Sequence, residues 1–278
     1  MKIINILSIV FYLLLTITRT MCQVFPVFGE EIEVKINGLS FDAMEPFIST
    51  DGNTLFFNSL NAGGDTNLYY AIRVDDTTYN FVGLVEGVYN PSPDHLDAVA
   101  SIDSLSNFYW ISTRNYPSQM ENLHTGYYSG GMVTNIKRVY GDFNIYLFDY
   151  PYGWLIMDAS INYQGNQLIY CNALFDFSNN TCGYVPYVSK LGIAEKINDS
   201  TFNKMINTNE IFQHVNDSNY LVYAPQITKD GLELYYTRLL IGTLNTEICL
   251  SVRNSTTENF SAPLILHSKD GFFPEAPT

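Results

Sequence analysis

Pro46-Phe-Ile-Ser-Thr-Asp51-Gly52-Asn-Thr-Leu55-Phe56-Phe57 and Pro225-Gln-Ile-Thr-Lys-Asp230-Gly231-Leu-Glu-Leu234-Tyr235-Tyr236 are one phrase written twice, in register and without a gap. A looser copy runs Ala159-Ser-Ile161-Asn-Tyr-Gln164-Gly165-Asn-Gln-Leu168-Ile169-Tyr170, and a degenerate one runs from Ala98 through Ser101 and Asp103 to Phe108-Tyr109-Trp110. Each copy sets Asp-Gly or a substitute between two apolar runs. That is the strongest short hairpin signal, because glycine accepts positive φ and aspartate tolerates it. A phrase that recurs along a chain means one supersecondary unit stacked several times.

A third strand recurs as well. Leu68-Tyr-Tyr-Ala71-Ile-Arg73-Val-Asp-Asp76-Thr-Thr-Tyr79-Asn80 matches Leu191-Gly-Ile-Ala194-Glu-Lys196-Ile-Asn-Asp199-Ser-Thr-Phe202-Asn203 position for position. Short fourth strands follow at 81–85 and 262–266. Three or four strands per unit, repeated radially, predict an all-β chain folded as a β-propeller. Four repeats are countable, and Pro274-Glu275-Ala276-Pro277-Thr278 opens a fifth. Glu31–Leu39 alternates like a strand and is expected to serve as the outer strand of the last blade. The expected ring is therefore five-bladed with its last blade incomplete; a four-bladed ring is the alternative. Unpaired strand edges in such a blade would invite aggregation.

The phrase Pro-x-Ile-Ser-x-Asp-Gly-x-x-Leu-aromatic-aromatic resembles the WD-type repeats of the TolB-like propeller group, over roughly residues 41–278. The resemblance implies the fold. It implies no one function, because that group holds scaffolds, periplasmic binding partners and propeller domains of enzymes.

The first 22 residues read as a secretory signal peptide. Lys2 supplies the positive start, Ile3–Thr18 carries no charge, and smallish residues precede Cys22. Residues 23–278 then form a single propeller domain, secreted to an extracellular or periplasmic space, with no transmembrane span after cleavage. Loss of Lys2 and Arg19 takes the formal charge from −14 to −16. So acidic a surface repels phosphate backbones, which makes nucleic acid a poor partner. In an oxidising compartment Cys171 and Cys182 are placed to bridge across the loop of the third unit, and Cys249 reads as a buried thiol. The scattered His95, His124, His214 and His267 show no metal motif. Five glycosylation sequons, at Asn179, Asn198, Asn216, Asn254 and Asn259, matter only in a glycosylating host.

The candidate site comes from aligning the repeats. Glu45, Asp97 and Asp158 fall just before the inner strand of units one, two and three, with Ala224 in the fourth and Glu275 near the same place in the fifth. Inner strands of a propeller line the central channel, so these acids are expected around one mouth. Carboxylates there can bind a cation such as calcium, grip sugar hydroxyls, or act as acid and base. They can equally be structural, accepting backbone N–H bonds from the preceding loop. Glu45-Pro46-Phe47-Ile48, Asp97 and Asp158 also resemble the acid slots of five-bladed glycoside hydrolases. On that resemblance Glu45 would be the base, Asp97 the orienter and Asp158 the acid, their separation deciding inversion or retention. The TolB-like phrase favours a binding or scaffold module for a protein or carbohydrate ligand, with no cofactor required and calcium the one metal considered. Most aromatic residues read as inter-blade packing; Tyr116, Tyr150, Tyr152 and Trp154, in loops, are candidates for ligand contact. Arg73, Lys196 and Arg253 read as strand-edge charges, and Arg114 and Arg238 as packing residues aimed at a neighbouring blade's carboxylate.

Overall fold

The computed structural model describes residues 25–60, 66–89, 95–178, 185–268 and 274–278. They form four sheets, antiparallel apart from one strand, in a four-bladed propeller arrangement, the alternative of the two architectures above. Blade one holds β2 (Met44–Ile48), β3 (Thr54–Asn58), β4 (Leu68–Arg73) and β5 (Thr78–Leu84), with β1 (Lys35–Asn37) added outside β5. Blade two is β6 (Asp97–Ile102), β7 (Asn107–Ser112), β8 (Leu123–Ser129) and β9 (Met132–Arg138). Blade three is β10 (Phe148–Asp149), β11 (Tyr152–Ile161), β12 (Gln167–Asp176), β13 (Val188–Asn198) and β14 (Thr201–Lys204). A helical turn, α1 (Thr208–Ile211), leads into blade four: β15 (Tyr220–Ile227), β16 (Glu233–Leu240), β17 (Thr246–Val252) and β18 (Leu264–His267).

The repeated phrase has a repeated chemistry. In blade one the Ser49 hydroxyl donates to Asp51 Oδ1 (2.6 Å) and accepts from the Thr54 amide (2.9 Å), while Asp51 accepts from the Asn53 amide (3.0 Å). Blade four repeats this with Thr228, Asp230, Glu233 and Leu232, at 2.7, 3.0 and 3.0 Å. The glycine after each aspartate, Gly52 or Gly231, sits at φ +72° or +73°, where a Cβ would be strained. In blade three Asn162 Oδ1 takes the Asn166 and Gln167 amides, both at 3.0 Å. In blade two Asp103 Oδ1 takes the Leu105 and Asn107 amides, at 2.8 and 2.9 Å. One side-chain oxygen per blade thus closes each inner hairpin.

This geometry corrects the alignment of blade two. Ile48 pairs with Leu55, Ile161 with Leu168 and Ile227 with Leu234, but Ile102 pairs with Phe108 across a hairpin one residue shorter. Asp103 therefore stands in the place of Ser49, not of Asp51. Counting back, the equivalent of Glu45, Asp158 and Ala224 is Val99, two residues beyond Asp97. A bulge interrupts the inner strands of blades one, two and four at this point and that of blade three one residue earlier, and Glu45, Val99 and Ala224 share a left-handed backbone there (φ +49°, +54° and +48°).

Apolar clusters lie between successive sheets. Phe56, Phe108 and Trp110 join blades one and two; Tyr109, Phe143, Tyr170 and Phe202 join two and three; Ile169, Ile193, Phe212, Val222 and Tyr236 join three and four. Among the described residues no such cluster joins blade four to blade one. The free face of blade one is instead covered by Ile36, Leu39 and Phe41, which pack on Phe57, Tyr69 and Phe81. The segment bearing them begins on blade four, where Phe28 meets Tyr235 edge-on (6.3 Å) and Glu31 pairs with His267 (2.5 Å). Its strand then joins β5 in parallel, Ile36 opposite Tyr79. Glu31–Leu39 is thus not the outer strand of a last blade: β1 extends blade one. The C-terminal tail crosses the same seam. Ala276 N–H donates to Thr237 Oγ1 and the Ile48 N–H donates to Thr278 Oγ1, both at 3.0 Å.

Arg73 keeps the strand-edge role expected of it, paired with Asp76. Arg253 does not. It is 4% exposed, lies over the Phe260 ring (4.4 Å) and donates to the Gly231 carbonyl (2.8 Å) beneath the blade-four turn. Arg114 and Arg238 bond carboxylates of their own blades, Asp97 and Glu247.

Phe41 covers the open face of blade one with a half-buried ring, so Phe41→Ala is expected to cost about 1–3 kcal/mol, read as a lower urea midpoint. Phe28→Ala, at a ring 54% exposed, should stay within about 0.5 kcal/mol of the parent. An unchanged midpoint for Phe41→Ala would mean that this ring does not hold the seam.

Candidate functional site: the central channel

The bulged starts of the inner strands converge on the axis. Glu45 and Pro46 of β2, Val99 and Ala100 of β6, Asp158 and Ala159 of β11, and Ala224 and Pro225 of β15 line one cavity, with Ala276 of the tail beside them. Ala276 has the same left-handed backbone as Glu45, Val99 and Ala224, φ +53°. Ala276 therefore puts a fifth copy of the slot on the axis.

Two of the four sequence-predicted acids meet here. Glu45 and Asp158 share the cavity wall. Asp158 is buried, and its Oδ2 accepts the Ala224 amide at 3.0 Å across the blade three–blade four junction. Burial pushes its carboxyl up to about 7, the Ala224 N–H opposing that shift and the Glu275 carboxylate adding to it. Glu275 lies one residue before the slot rather than in it. Its Oε2 accepts from the Tyr223 hydroxyl at 3.1 Å; burial raises its own carboxyl and the Tyr223 bond counters the rise. Tyr223 is the participant the sequence reading missed. It too stands one residue before the slot, in line with Glu275, and that shared register was the available signal.

Asp97 is elsewhere. It is buried, and Arg114 Nη2 lies 2.7 and 2.8 Å from its two oxygens. The same guanidinium donates to the Val88 carbonyl (2.5 Å) and the Ser112 hydroxyl (2.8 Å), while the Asp97 amide bonds the Thr66 carbonyl (2.9 Å). Burial is the larger influence on the Asp97 carboxyl and raises it, with Arg114 pulling the other way. Asp97 thus links blade two to blade one through Thr66 and Val88. The physical reason for its displacement is that Asp103 fills the acceptor position of Ser49 rather than that of Asp51, which sets Asp97 two residues before the bulge.

The cavity between Glu45 and Asp158 measures about 30 Å³. That is room for a water molecule, not a sugar ring. Among the described residues no group of three or more His, Cys, Asp or Glu is placed to hold a metal ion, so the calcium reading finds no ligand set there. A carboxyl that titrates near neutrality beside a second acid can hold or pass a proton.

The remaining expected residues fall into place individually. Cys171 is a free, fully buried thiol behind Asp158; it donates to the Val222 carbonyl (3.4 Å), and burial raises it well above an ordinary thiol. Its expected disulfide partner, Cys182, lies outside the described residues, as does the signal peptide. Cys249 is a buried thiol pushed up to about 12 by burial. His124 is buried against Trp110 (5.3 Å) and held down to about 4, chiefly by burial. Tyr116 packs on Phe148 and Phe177 and bonds the Trp154 carbonyl (2.9 Å), so it is structural. Tyr150 and Tyr152 remain exposed.

Comparisons with known proteins bear on the fold. No protein-family model matches the chain, and no curated protein matches it in sequence. Similar solved structures include a putative TolB from Agrobacterium tumefaciens, at 10% identity over 81% of this chain and 65% of that one, TM-score 0.45. An endo-arabinase from Bacteroides thetaiotaomicron aligns at 14% identity over 87% and 86%, TM-score 0.46. A protein named as a glycoside hydrolase aligns at 11% identity over 83% and 78%, TM-score 0.52. The chain spans just under two thirds of the Agrobacterium protein's length. At these identities the likeness is one of architecture alone, shared by proteins of unrelated activities.

Proposed function

We propose that the chain is a non-catalytic binding or scaffold module, a rigid propeller that presents its surface to a protein or carbohydrate ligand in a secreted or periplasmic setting. The observation that carries this reading is the dispersal of the acids. A hydrolase on this scaffold would need Glu45, Asp97 and Asp158 around a space that admits a glycosidic bond. Asp97 is committed to Arg114 instead, and the space is that of a single water. Among the described residues no helix is long and apolar enough to cross a membrane, and the acidic composition suits a protein partner or neutral sugar better than a polyanion.

One observation favours glycoside hydrolysis as the second reading: an acid that titrates near 7, as Asp158 does, suits a general acid at neutral pH. The two readings separate in one experiment. Arabinan and xylan oligosaccharides are incubated with the parent chain and with Glu45→Gln, and products and binding are measured side by side. The expected outcome is no cleavage by either protein. Cleavage by the parent that is lost in Glu45→Gln would establish the hydrolase.

The same buried carboxyl gives the chain a pH signature. Its folded value lies above the 3.8 of an unperturbed aspartate, so the folded state holds a proton that the unfolded state releases. The stability of the chain should therefore fall, from this group, as pH rises from about 4 to about 7, and level off above. Asp158→Asn removes the ionisable group and should flatten that limb, leaving a variant that melts higher than the parent above pH 7. Parallel melting curves for the two proteins across this range would mean that Asp158 is already ionised in the fold.

A further inference from the structure

A far wider opening than the channel lies between blades two and three. It encloses about 410 Å³, within the range of small-molecule sites, about 300–1,000 Å³. One wall is the outer half of blade two, with Asn107 on β7, Tyr127 on β8 and Asn135 and Lys137 on β9; the other is Asp199 in the β13–β14 turn.

Both walls are held by local backbone geometry. On β9 an extra residue enters the ladder: Thr125 pairs with Lys137 and Tyr127 with Thr134, so Asn135 and Ile136 bulge out, and Asn135 takes a left-handed backbone (φ +54°). Bulges of this kind re-aim side chains and gather beside functional sites, and a non-glycine residue held at positive φ has to be maintained by its surroundings. The facing turn is clamped to blade two. Tyr140 N–H donates to the Ser200 carbonyl (2.8 Å), Phe202 N–H to the Tyr140 carbonyl (2.9 Å), and Asn198 Oδ1 accepts the Ser200 amide (3.1 Å).

The chemistry of the lining is that of a hydroxyl-rich ligand. Tyr127 is 48% exposed and offers a ring face. Asn107 Nδ2 donates to Asp103 Oδ2 (2.7 Å), which orients its side-chain carbonyl oxygen as an acceptor. Among the described residues the Asn135 side chain has no hydrogen-bond partner. Lys137 Nζ and Asp199 Oδ2 stand 3.8 Å apart, both exposed. That is too long for a direct hydrogen bond, and it leaves a donor and an acceptor side by side, matched to the two oxygens of a vicinal diol. The pair is neutral overall, so the cleft has no net charge with which to draw an anion.

We propose that this inter-blade cleft binds one or two residues of a neutral saccharide, with a C–H face of the sugar on Tyr127 and its hydroxyls on Asn107, Asn135 and the Lys137–Asp199 pair. The proposal rests on the binding-module reading and narrows its ligand, while moving the site away from the axis.

Saturation-transfer NMR with cellotetraose, xylotetraose and mannotriose tests it, on the parent, Tyr127→Ala, Tyr127→Phe and Glu45→Gln, each first shown to melt cooperatively. The expected result is transfer to at least one of these sugars at millimolar affinity, weakened about tenfold or more in Tyr127→Ala and largely kept in Tyr127→Phe, which retains the ring. Transfer that survives Tyr127→Ala but is lost in Glu45→Gln overturns the cleft and assigns sugar binding to the channel. No transfer to any of the three overturns the cleft and leaves the protein-binding form of the module standing. A heparin tetrasaccharide bound more tightly than the neutral sugars would also overturn it, because the cleft would then be reading charge.

Discussion

The structure turns on one oxygen per blade. Ser49, Asp103, Asn162 and Thr228 each catch the backbone amides of a following tight turn, and so decide which residue of the inner strand faces which residue of the next. A side-chain period of two leaves no tolerance in that decision. A slip of one residue would carry Phe56, Phe108, Leu168 or Leu234 from one sheet face to the other and empty the inter-blade cluster that each supports. The same register fixes the bulge three residues earlier, and with it the residue presented to the axis. Side-chain capping, sheet register, core packing and channel lining are thus four consequences of one hydrogen-bonding choice.

That chain of consequences explains what was legible in the sequence. The Asp-Gly phrases of units one and four marked their hairpins correctly, and Leu68–Asn80 and Leu191–Asn203 occupy equivalent positions, down to the pairing of Arg73 with Tyr79 and Lys196 with Phe202. Unit two misled because its aspartate does a different task. Letters were matched, Asp103 to Asp51, where the physics preserves an acceptor oxygen at the first turn position. The error propagated two residues and placed Asp97 on the axis. Glu31–Leu39 alternates as a strand should, but alternation does not say which edge a strand joins. Arg253 reads like Arg73 in sequence; only the Phe260 ring beneath it, supplied from seven residues away by a loop, makes one buried and the other exposed. The inter-blade cleft left no pattern at all, since its walls come from two blades and its shape from a bulge.

Asp158 and Glu275 in the channel region, and Asp97 to one side of it, are each engaged by a group of the fold itself. Asp158 is stabilised as the neutral acid by burial and is held to blade four by the Ala224 amide; Glu275 is shielded by Tyr223; Asp97 is neutralised by Arg114. Each is answered by a different partner, and together they stitch blade one to two, three to four, and the tail to blade four.

The seam has a kinetic meaning. Every hairpin in the ring is local and can form as soon as its own residues are available, whereas the contacts that shut the circle join Ile48 to Thr278, 230 positions apart, and Glu31 to His267, 236 apart. Loop closure over such spans is entropically dear and slow. During synthesis the blades can stack one after another as an open arc, which becomes a ring only once residues 274–278 are available to meet Ile48 and Thr237.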